Sequence, residues 1–357
     1  MNPDLNQPVA VRTGEELPLE QLTTYLRQQL AGSTESLTVA VEQFPHGFSN
    51  LTYLVRLGDK ELVLRRPPFG NKVASAHDMN REFRMLTRLS EVYAAAPRPE
   101  LFCADEAVIG CPFYLMERRH GLILRKRLPE GITIDREMAR CMSLSLIDNL
   151  AALHAIDYQT AGLSEMGKPE GYVQRQVSGW IKRYGHAQTT VVPAMDAVAD
   201  WLSTHQPEET GASVIHNDYK YDNVMLDSHD LTKIVAVLDW EMATIGDPLM
   251  DLGTSLGYWV QSTDPEELRE AAFGPTALPG SLTRQELVLR YEERTGIRIT
   301  DEVFYYCFGL FKLAVIVQQI FARFARGSTK DPRFARLDRL VLVLAEQADR
   351  TLHTGTI

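Results

Sequence analysis

Asp218, Asn223 and Asp239 are three oxygen-bearing side chains in one stretch, VIHNDYKYDNVMLDSHDLTKIVAVLDWE, residues 214–241. Asp218 and Asn223 lie five apart across a loop and can face a common point, to which the next strand can deliver Asp239. Two carboxylates and an amide oxygen make a hard, oxygen-only site of the kind that suits Mg²⁺, which takes few protein ligands and shares phosphate oxygens. An Asp–Asn pair in a loop is also an ordinary turn or cap. The ordered set between strands is what favours chemistry.

The elements that must position these residues are read from periodicity and turn residues. Within the stretch, residues 214–215 form an apolar lead-in, 223–226 a strand and 234–238 another. Upstream, 1–18 reads as a loose tail and 19–30 as a helix. Strands 37–44, 51–57 and 61–66 follow in antiparallel order, with Gly58-Asp59 as a hairpin turn. The loop 45–50 carries Gly47, Ser49 and Asn50, which can offer N–H groups and small side chains to phosphates or form a plain hairpin. After a loop with Ser75 and His77, Met79, Phe83, Leu86 and Leu89 mark a helix over 79–89, and 101–103 and 112–116 read as strands. From about Arg118 the pattern turns helical, over 136–156, 172–184, 197–204, 284–295, 301–326 and 333–350. The expected fold class is α+β, with a sheet-rich region over 1–116 and a mainly helical one over 117–357.

A chain of 357 residues exceeds the usual single domain and can bury a sizeable core. Its net charge of −10 argues against a general nucleic-acid binder, whose phosphate contacts need a basic surface. Cys103, Cys111, Cys141 and Cys307 are widely spaced and show no metal or disulfide pattern, which suits a reducing cytosol. The N-terminus lacks the apolar core of a signal peptide. The longest apolar run, 307–317, is short and broken by Lys312, so a buried helix is expected and not a membrane span. These features predict a soluble cytoplasmic protein; they do not fix its oligomeric state.

His216-Asn217-Asp218 followed by Asn223 gives H-x-D-x-x-x-x-N, the catalytic-loop pattern of protein-kinase-like phosphotransferases. The later motif is Asp239-Trp240-Glu241, not D-F-G, so the chain instead resembles the aminoglycoside phosphotransferase and choline kinase family. The string Gln43-Phe44-x-x-Gly47-x-Ser49-Asn50-x-Thr52-Tyr53, the strand ending Val63-Leu64-Arg65-Arg66-Pro67-Pro68 and the pattern over 311–323 narrow the resemblance. They are similar to the kinase-like domain of acyl-CoA dehydrogenase family members ten and eleven and its bacterial relatives. The resemblance covers roughly residues 44–334. It implies a protein-kinase-like two-lobe fold, with a small antiparallel-sheet lobe and a large, mainly helical one.

The same resemblance implies the roles. Asp218 accepts the hydrogen of a substrate hydroxyl, with His216 beside it fixing the loop. Asn223 and Asp239 hold Mg²⁺. Gly47, Ser49, Asn50 and Arg65 meet the phosphates of ATP, and Glu82 pairs with Arg65. Met116, Glu117 and Arg118 form the hinge that receives adenine. Asp247 and Asp251 brace the loop and cap a helix. On residues alone, Arg65 can also be a sheet-edge cation, and Glu82 the partner of Arg84 or Arg88.

The resemblance implies that the acceptor is a small hydroxylated molecule. Arg175, Lys182 and Arg183, with Arg323, Arg326, Lys330, Arg333, Arg336 and Arg339, favour an anion over a cationic drug, although such a run is also an ordinary solvated helix face. By resemblance a hydroxyacyl-CoA ranks first, and an aminoglycoside or amino alcohol second. A catalytically silent nucleotide-binding protein is the rival class.

Overall fold

The computed structural model describes residues 7–30, 38–45, 50–69, 78–329 and 331–357. Gly47, Ser49, Ser75, His77 and Lys330 lie outside them. The chain forms two compact units. The first comprises residues 1–123 with 225–229 and 235–241, and the second comprises the rest.

In the first unit, strands β1 (Val39–Gln43), β2 (Leu51–Leu57), β3 (Lys60–Arg66), β4 (Pro99–Cys103) and β5 (Phe113–Glu117) form one antiparallel sheet in the order β1-β2-β3-β5-β4. Side chains alternate across the sheet. Tyr53, Val55, Leu62, Leu64, Phe113 and Leu115 therefore share one face, where Leu22 and Leu26 of α1 (Leu19–Leu30) and Ile109 of α3 (Glu106–Ile109) cover them. Arg65, one residue on from Leu64, is turned to the opposite face, opposite Tyr114 in register. There α2 (Met79–Leu89) packs, its Phe83 ring 6.2 Å from that of Tyr114. Asp78 starts α2 by accepting the Arg81 N–H.

Two segments from far along the chain return to this unit. Leu122 and Leu226 exchange backbone hydrogen bonds of 2.8 Å, and the Val237 N–H donates to Ala95 at 2.7 Å. The Trp240 ring meets Tyr93 edge-on at 6.0 Å. Asp239 is thereby built into the sheet-bearing unit, although a division at residue 116 along the chain would put it in the other.

The second unit is helical: α4 (Arg136–His154), α5 (Tyr172–Ala187), α6 (Pro193–Thr204), α7 (Pro248–Tyr258), α8 (Glu266–Glu270), α9 (Arg284–Thr295), α10 (Glu302–Ala325) and α11 (Leu337–Thr354). One short strand pair, β6 (Ser213–Ile215) with β9 (Thr244–Gly246), lies in this unit, whereas most of the pair β7 (Val224–Leu226) with β8 (Ile234–Val237) belongs to the segments that return to the first. Asn223, expected on a strand, sits instead on a single tight turn, Tyr221–Asn223. The last helix starts at Leu337 and not at Arg333, because Asp331 and Pro332 first form a separate turn.

The 24-residue α10 is long and apolar enough to cross a membrane, and 78% of its most apolar stretch is buried in the protein. It packs against α5, α6, α7 and α11. Its contact with α7 is backbone to backbone: a Cβ on Gly309 would strike the Gly253 carbonyl, and one on Gly253 the Tyr305 carbonyl. Overpacking of this kind costs about 1–3 kcal/mol. Gly309→Ala should therefore lower the unfolding free energy by that amount, measured by denaturant titration, and wild-type stability would show that the helices part freely.

Candidate active site

The loop after β6 is held from below by α7. Asp247 caps that helix through the Leu249 N–H and also binds the Thr210 N–H and hydroxyl. One turn later, the fully buried Asp251 accepts the His216 N–H and the Asn217 N–H, each at 2.7 Å, while His154 Nε2 lies 3.1 Å away. Burial alone would raise the Asp251 carboxyl, but His154, His216 and these hydrogen bonds outweigh it and hold it below its usual range. His154 is itself fixed by the Tyr291 hydroxyl at 2.7 Å.

This bracing holds Asn217 in a left-handed conformation (φ 66°). Among the described residues only Asn217 and Asp239 (φ 67°) adopt such a backbone without being glycine, and strain of this kind gathers at functional sites. His216, named as a catalytic candidate, is wholly buried, and its Nδ1 accepts the Asp218 N–H at 3.2 Å. That bond ties it to the loop from inside the protein.

The Asp218 carboxylate is encircled. Lys220 Nζ donates to both oxygens at 2.7 Å, Tyr258 donates to Oδ1 at 2.7 Å, and Asn223 Nδ2 donates to Oδ2 at 2.7 Å. Its side chain keeps 17% of its surface open. A carboxylate so placed can take a hydroxyl in exchange for one of these donors and orient it. Asn223 also donates to the Asp218 carbonyl at 2.8 Å, which turns its amide oxygen away from Asp218.

In the first unit Arg65 is 8% exposed at its side chain and ringed by three carboxylates. Asp239 lies at 2.8 Å, Glu82 at 3.4 Å and Glu241 at 3.7 Å. Asn50 Nδ2 donates to Glu241 at 2.6 Å. Burial opposes the charge on Arg65, but Glu82, Tyr114, Asp239 and Glu241 outweigh it and raise its pKa well above the ordinary value. Glu82 is raised too, since burial exceeds the pull of Arg65. Arg65 Nε and Asn50 Oδ1 are buried without a hydrogen-bond partner among the described residues. Three carboxylates against one guanidinium leave an excess of negative charge that a divalent cation would neutralise.

Asp239 in the first unit and the Asn223 amide oxygen in the second are each a hard donor of the kind that suits Mg²⁺. Among the described residues no cluster of three His, Cys, Asp or Glu could cage a metal, and Mg²⁺ held with a nucleotide needs no such cage.

The hinge candidates behave differently. Met116 and Glu117 end β5, but the Glu117 N–H is engaged by the Arg98 carbonyl at 2.9 Å, and Arg118 is bound to Glu61 at 2.7 Å.

Two cavities flank the catalytic loop within the second unit. One is an apolar recess of about 30 Å³ beside Lys220, Tyr258, Trp259 and Phe273, with space for about one water-sized group. The other, of about 300 Å³, is lined by Lys168, Arg175, Trp180, Arg183, Asn217 and Lys312, among others. Of the basic residues singled out by sequence, Arg175 and Arg183 line it. Lys182 does not, Arg326 binds the His186 carbonyl, and Arg333 pairs with Asp331. Sequence reasoning missed Lys220, Tyr258, Lys168 and Lys312. Lys312 left a signal, as the one charge inside an apolar helical run.

Residues 40–283 match the model of the phosphotransferase enzyme family. Acyl-CoA dehydrogenase family member 10 of Mus musculus is 33% identical over 342 residues, which is 95% of this chain and 31% of that protein. Acyl-CoA dehydrogenase family member 11 of Rattus norvegicus is 33% identical over 357 residues, 97% and 45% respectively. The chain thus spans less than half the length of these relatives. A crystal structure from Ralstonia eutropha JMP134, described as a candidate aminoglycoside phosphotransferase, is 32% identical with a TM-score of 0.78, over 94% of this chain and 98% of that one. The fold is that of the kinase-like phosphotransferases, an antiparallel sheet unit followed by a helical one.

Proposed function

This chain belongs to the phosphotransferase enzyme family, and on that premise we propose that it moves the γ-phosphoryl group of ATP to the hydroxyl of a small acceptor. The observation that carries the reading is the Asp218 carboxylate, held by Lys220, Tyr258 and Asn223 on a strained, braced loop.

Phosphoryl transfer asks the protein for positioning and charge neutralisation more than for covalent chemistry. In this reading Asp218 accepts the hydrogen of the acceptor hydroxyl and aims its oxygen in line. Lys220, released from Asp218, turns its ammonium to the transferring group. Arg65 takes the α- and β-phosphate oxygens in its fork, a geometry that a lysine would not reproduce. Glu82 keeps Arg65 in place, and Asn50 presents its amide beside it. The Asn223 amide oxygen and Asp239 would hold Mg²⁺, which would offset the charge of the phosphates. His216 and Asp251 position the loop.

The relatives' names point to acyl-CoA chemistry, so a hydroxyacyl-CoA is the first acceptor to test. The 30 Å³ recess is too small for an acyl chain unless side chains move, so the chain would have to lie elsewhere. The test is transfer from Mg·ATP to a panel of 4-hydroxyacyl-CoAs, aminoglycosides and choline-like alcohols. Phosphorylation of the CoA esters supports the proposal, and phosphorylation of aminoglycosides alone overturns the acceptor. Nucleotide binding without transfer to any of them would mark a silent binding protein.

A further inference from the structure

We propose that the 300 Å³ cavity beside the catalytic loop is an anion subsite, in which Lys312 at the floor and Arg175 and Arg183 at the mouth bind a carboxylate or phosphate carried by the acceptor. The identity of that ligand as an acceptor rests on the phosphotransfer reading. The anion site does not.

The first support is charge. Lys168, Arg175, Arg183 and Lys312 line the cavity, and among the described residues no Asp or Glu does. This occurs in a protein whose net charge is −10. Arg175, Arg183 and Lys312 are held by neutral partners. Arg175 donates to the carbonyls of Lys168 and Glu170. Arg183 lies over the Trp180 ring at 4.7 Å, an attraction that leaves its charge unneutralised.

Lys312 is the strongest observation. It is 2% exposed on the core helix α10, among residues that are almost all apolar. Its Nζ donates to the Asn217 carbonyl at 2.8 Å, to Asn217 Oδ1 at 3.3 Å and to the Thr254 hydroxyl at 3.3 Å. None of these carries a charge. Burial pulls its pKa down to about 8, with Asp251 and Asp218 opposing and Lys220 and Arg183 assisting. An ammonium taken out of water without a bonded carboxylate is costly, and an apolar side chain of similar length would pack at that position without the cost. An anion in the cavity supplies the missing counter-charge.

The placement also suits specificity. Lys312 holds Asn217, the residue before Asp218, so the group that would read the acceptor's charge is bonded to the loop that would aim its hydroxyl. A cationic acceptor would meet four like charges there, and repulsion rejects as effectively as attraction selects.

The test uses glutarate and its uncharged analogue glutaramide, titrated into the full chain in an Asp218→Asn background where no transfer is needed. Calorimetry and tryptophan emission give the affinity, with Trp180→Phe assigning the emission change to this cavity. The expected result is binding of glutarate and not of glutaramide. Arg175→Gln and Arg183→Gln should each raise Kd at least fivefold, and Lys312→Met at least tenfold. The two arginines are exposed, so their variants keep the test valid even where Lys312→Met fails to fold. Equal binding of glutarate and glutaramide, or unchanged affinity in the double arginine variant, overturns the subsite. In the Asp218-intact protein, kcat/KM for 4-hydroxybutyrate over 4-hydroxybutyramide should collapse in the arginine variants. If that ratio holds while glutarate binding is lost, the site serves a separate anion and the acceptor assignment falls. Glutarate binding with no transfer to any hydroxy acid would sink phosphotransfer and leave the anion site standing.

Discussion

Asp218→Asn should lower phosphoryl transfer by about 10²–10⁴-fold, the range for loss of a positioned acid–base group, while nucleotide affinity changes by no more than a few-fold. The argument rests on what the carboxylate touches. Both oxygens accept from Lys220, and Tyr258 and Asn223 complete the ring. An asparagine keeps the shape but offers one acceptor where the carboxylate offered two, and its NH₂ must face a donor. It also leaves the Lys220 ammonium without its counter-charge, next to the Tyr258 ring at 4.4 Å. The acceptor hydroxyl then meets no group able to draw off its proton as the phosphoryl group arrives. Arg65, Asn50 and Asp239, assigned to the nucleotide, are untouched by the change. Steady-state transfer and equilibrium binding of Mg·ATP, measured on the same preparation, decide the matter. Transfer at the wild-type rate removes Asp218 from the role given to it. A parallel loss of nucleotide affinity would mean that Asp218 acts on the phosphates instead.

The spacing of His216, Asp218, Asn223 and Asp239 was readable because a short loop and the strand after it leave little freedom in where those side chains can go. Local signals likewise set the bounds of several elements. The stripe Met79, Phe83, Leu86, Leu89 matches α2 at both ends, and Gly58-Asp59 marks the β2–β3 turn. What escaped depends on tertiary contact. Asp239 joins the sheet-bearing unit through the Leu122–Leu226 bridge, the Ala95 carbonyl and its own ion pair with Arg65, contacts between residues more than a hundred apart. Arg323, Arg326, Arg333, Arg336 and Arg339 read as one basic run in the sequence, but none of them lines the cavity. In the sequence Lys312 is only a break in an apolar run. Its meaning comes from the Asn217 carbonyl, 95 residues earlier, which no periodicity can reveal. The family resemblance marked Asp251 as a brace, and it accepts two N–H groups of the loop. Its partners could not be named from the sequence.

Those partners make Asp251→Asn the variant with the largest expected effect on stability. The wild-type carboxylate is fully buried and accepts two backbone N–H groups and His154. A neutral amide can serve one N–H with its oxygen and must turn its NH₂ towards the other. A buried donor left without an acceptor costs about 1–3 kcal/mol, and more where charge assisted the bond, so a loss of about 3 kcal/mol is expected. The loss falls on the loop first. Hydrogen exchange at His216 and Asn217 should accelerate more than exchange in α10, and transfer should fall with it, because Asn217 relaxes from its left-handed backbone. The pH dependence has a definite sign. The folded-state pKa of Asp251 lies below its unfolded value of about 3.9, so its ionised form contributes stability that is fully present above about pH 5 and is lost as pH falls through the folded value. The gap between wild type and Asp251→Asn, taken from denaturant midpoints, should stay constant from about pH 5 to 7 and narrow below about pH 4. A gap that stays level down to pH 3, or unchanged protection at His216 and Asn217, would show that the charge of Asp251 does not hold the loop.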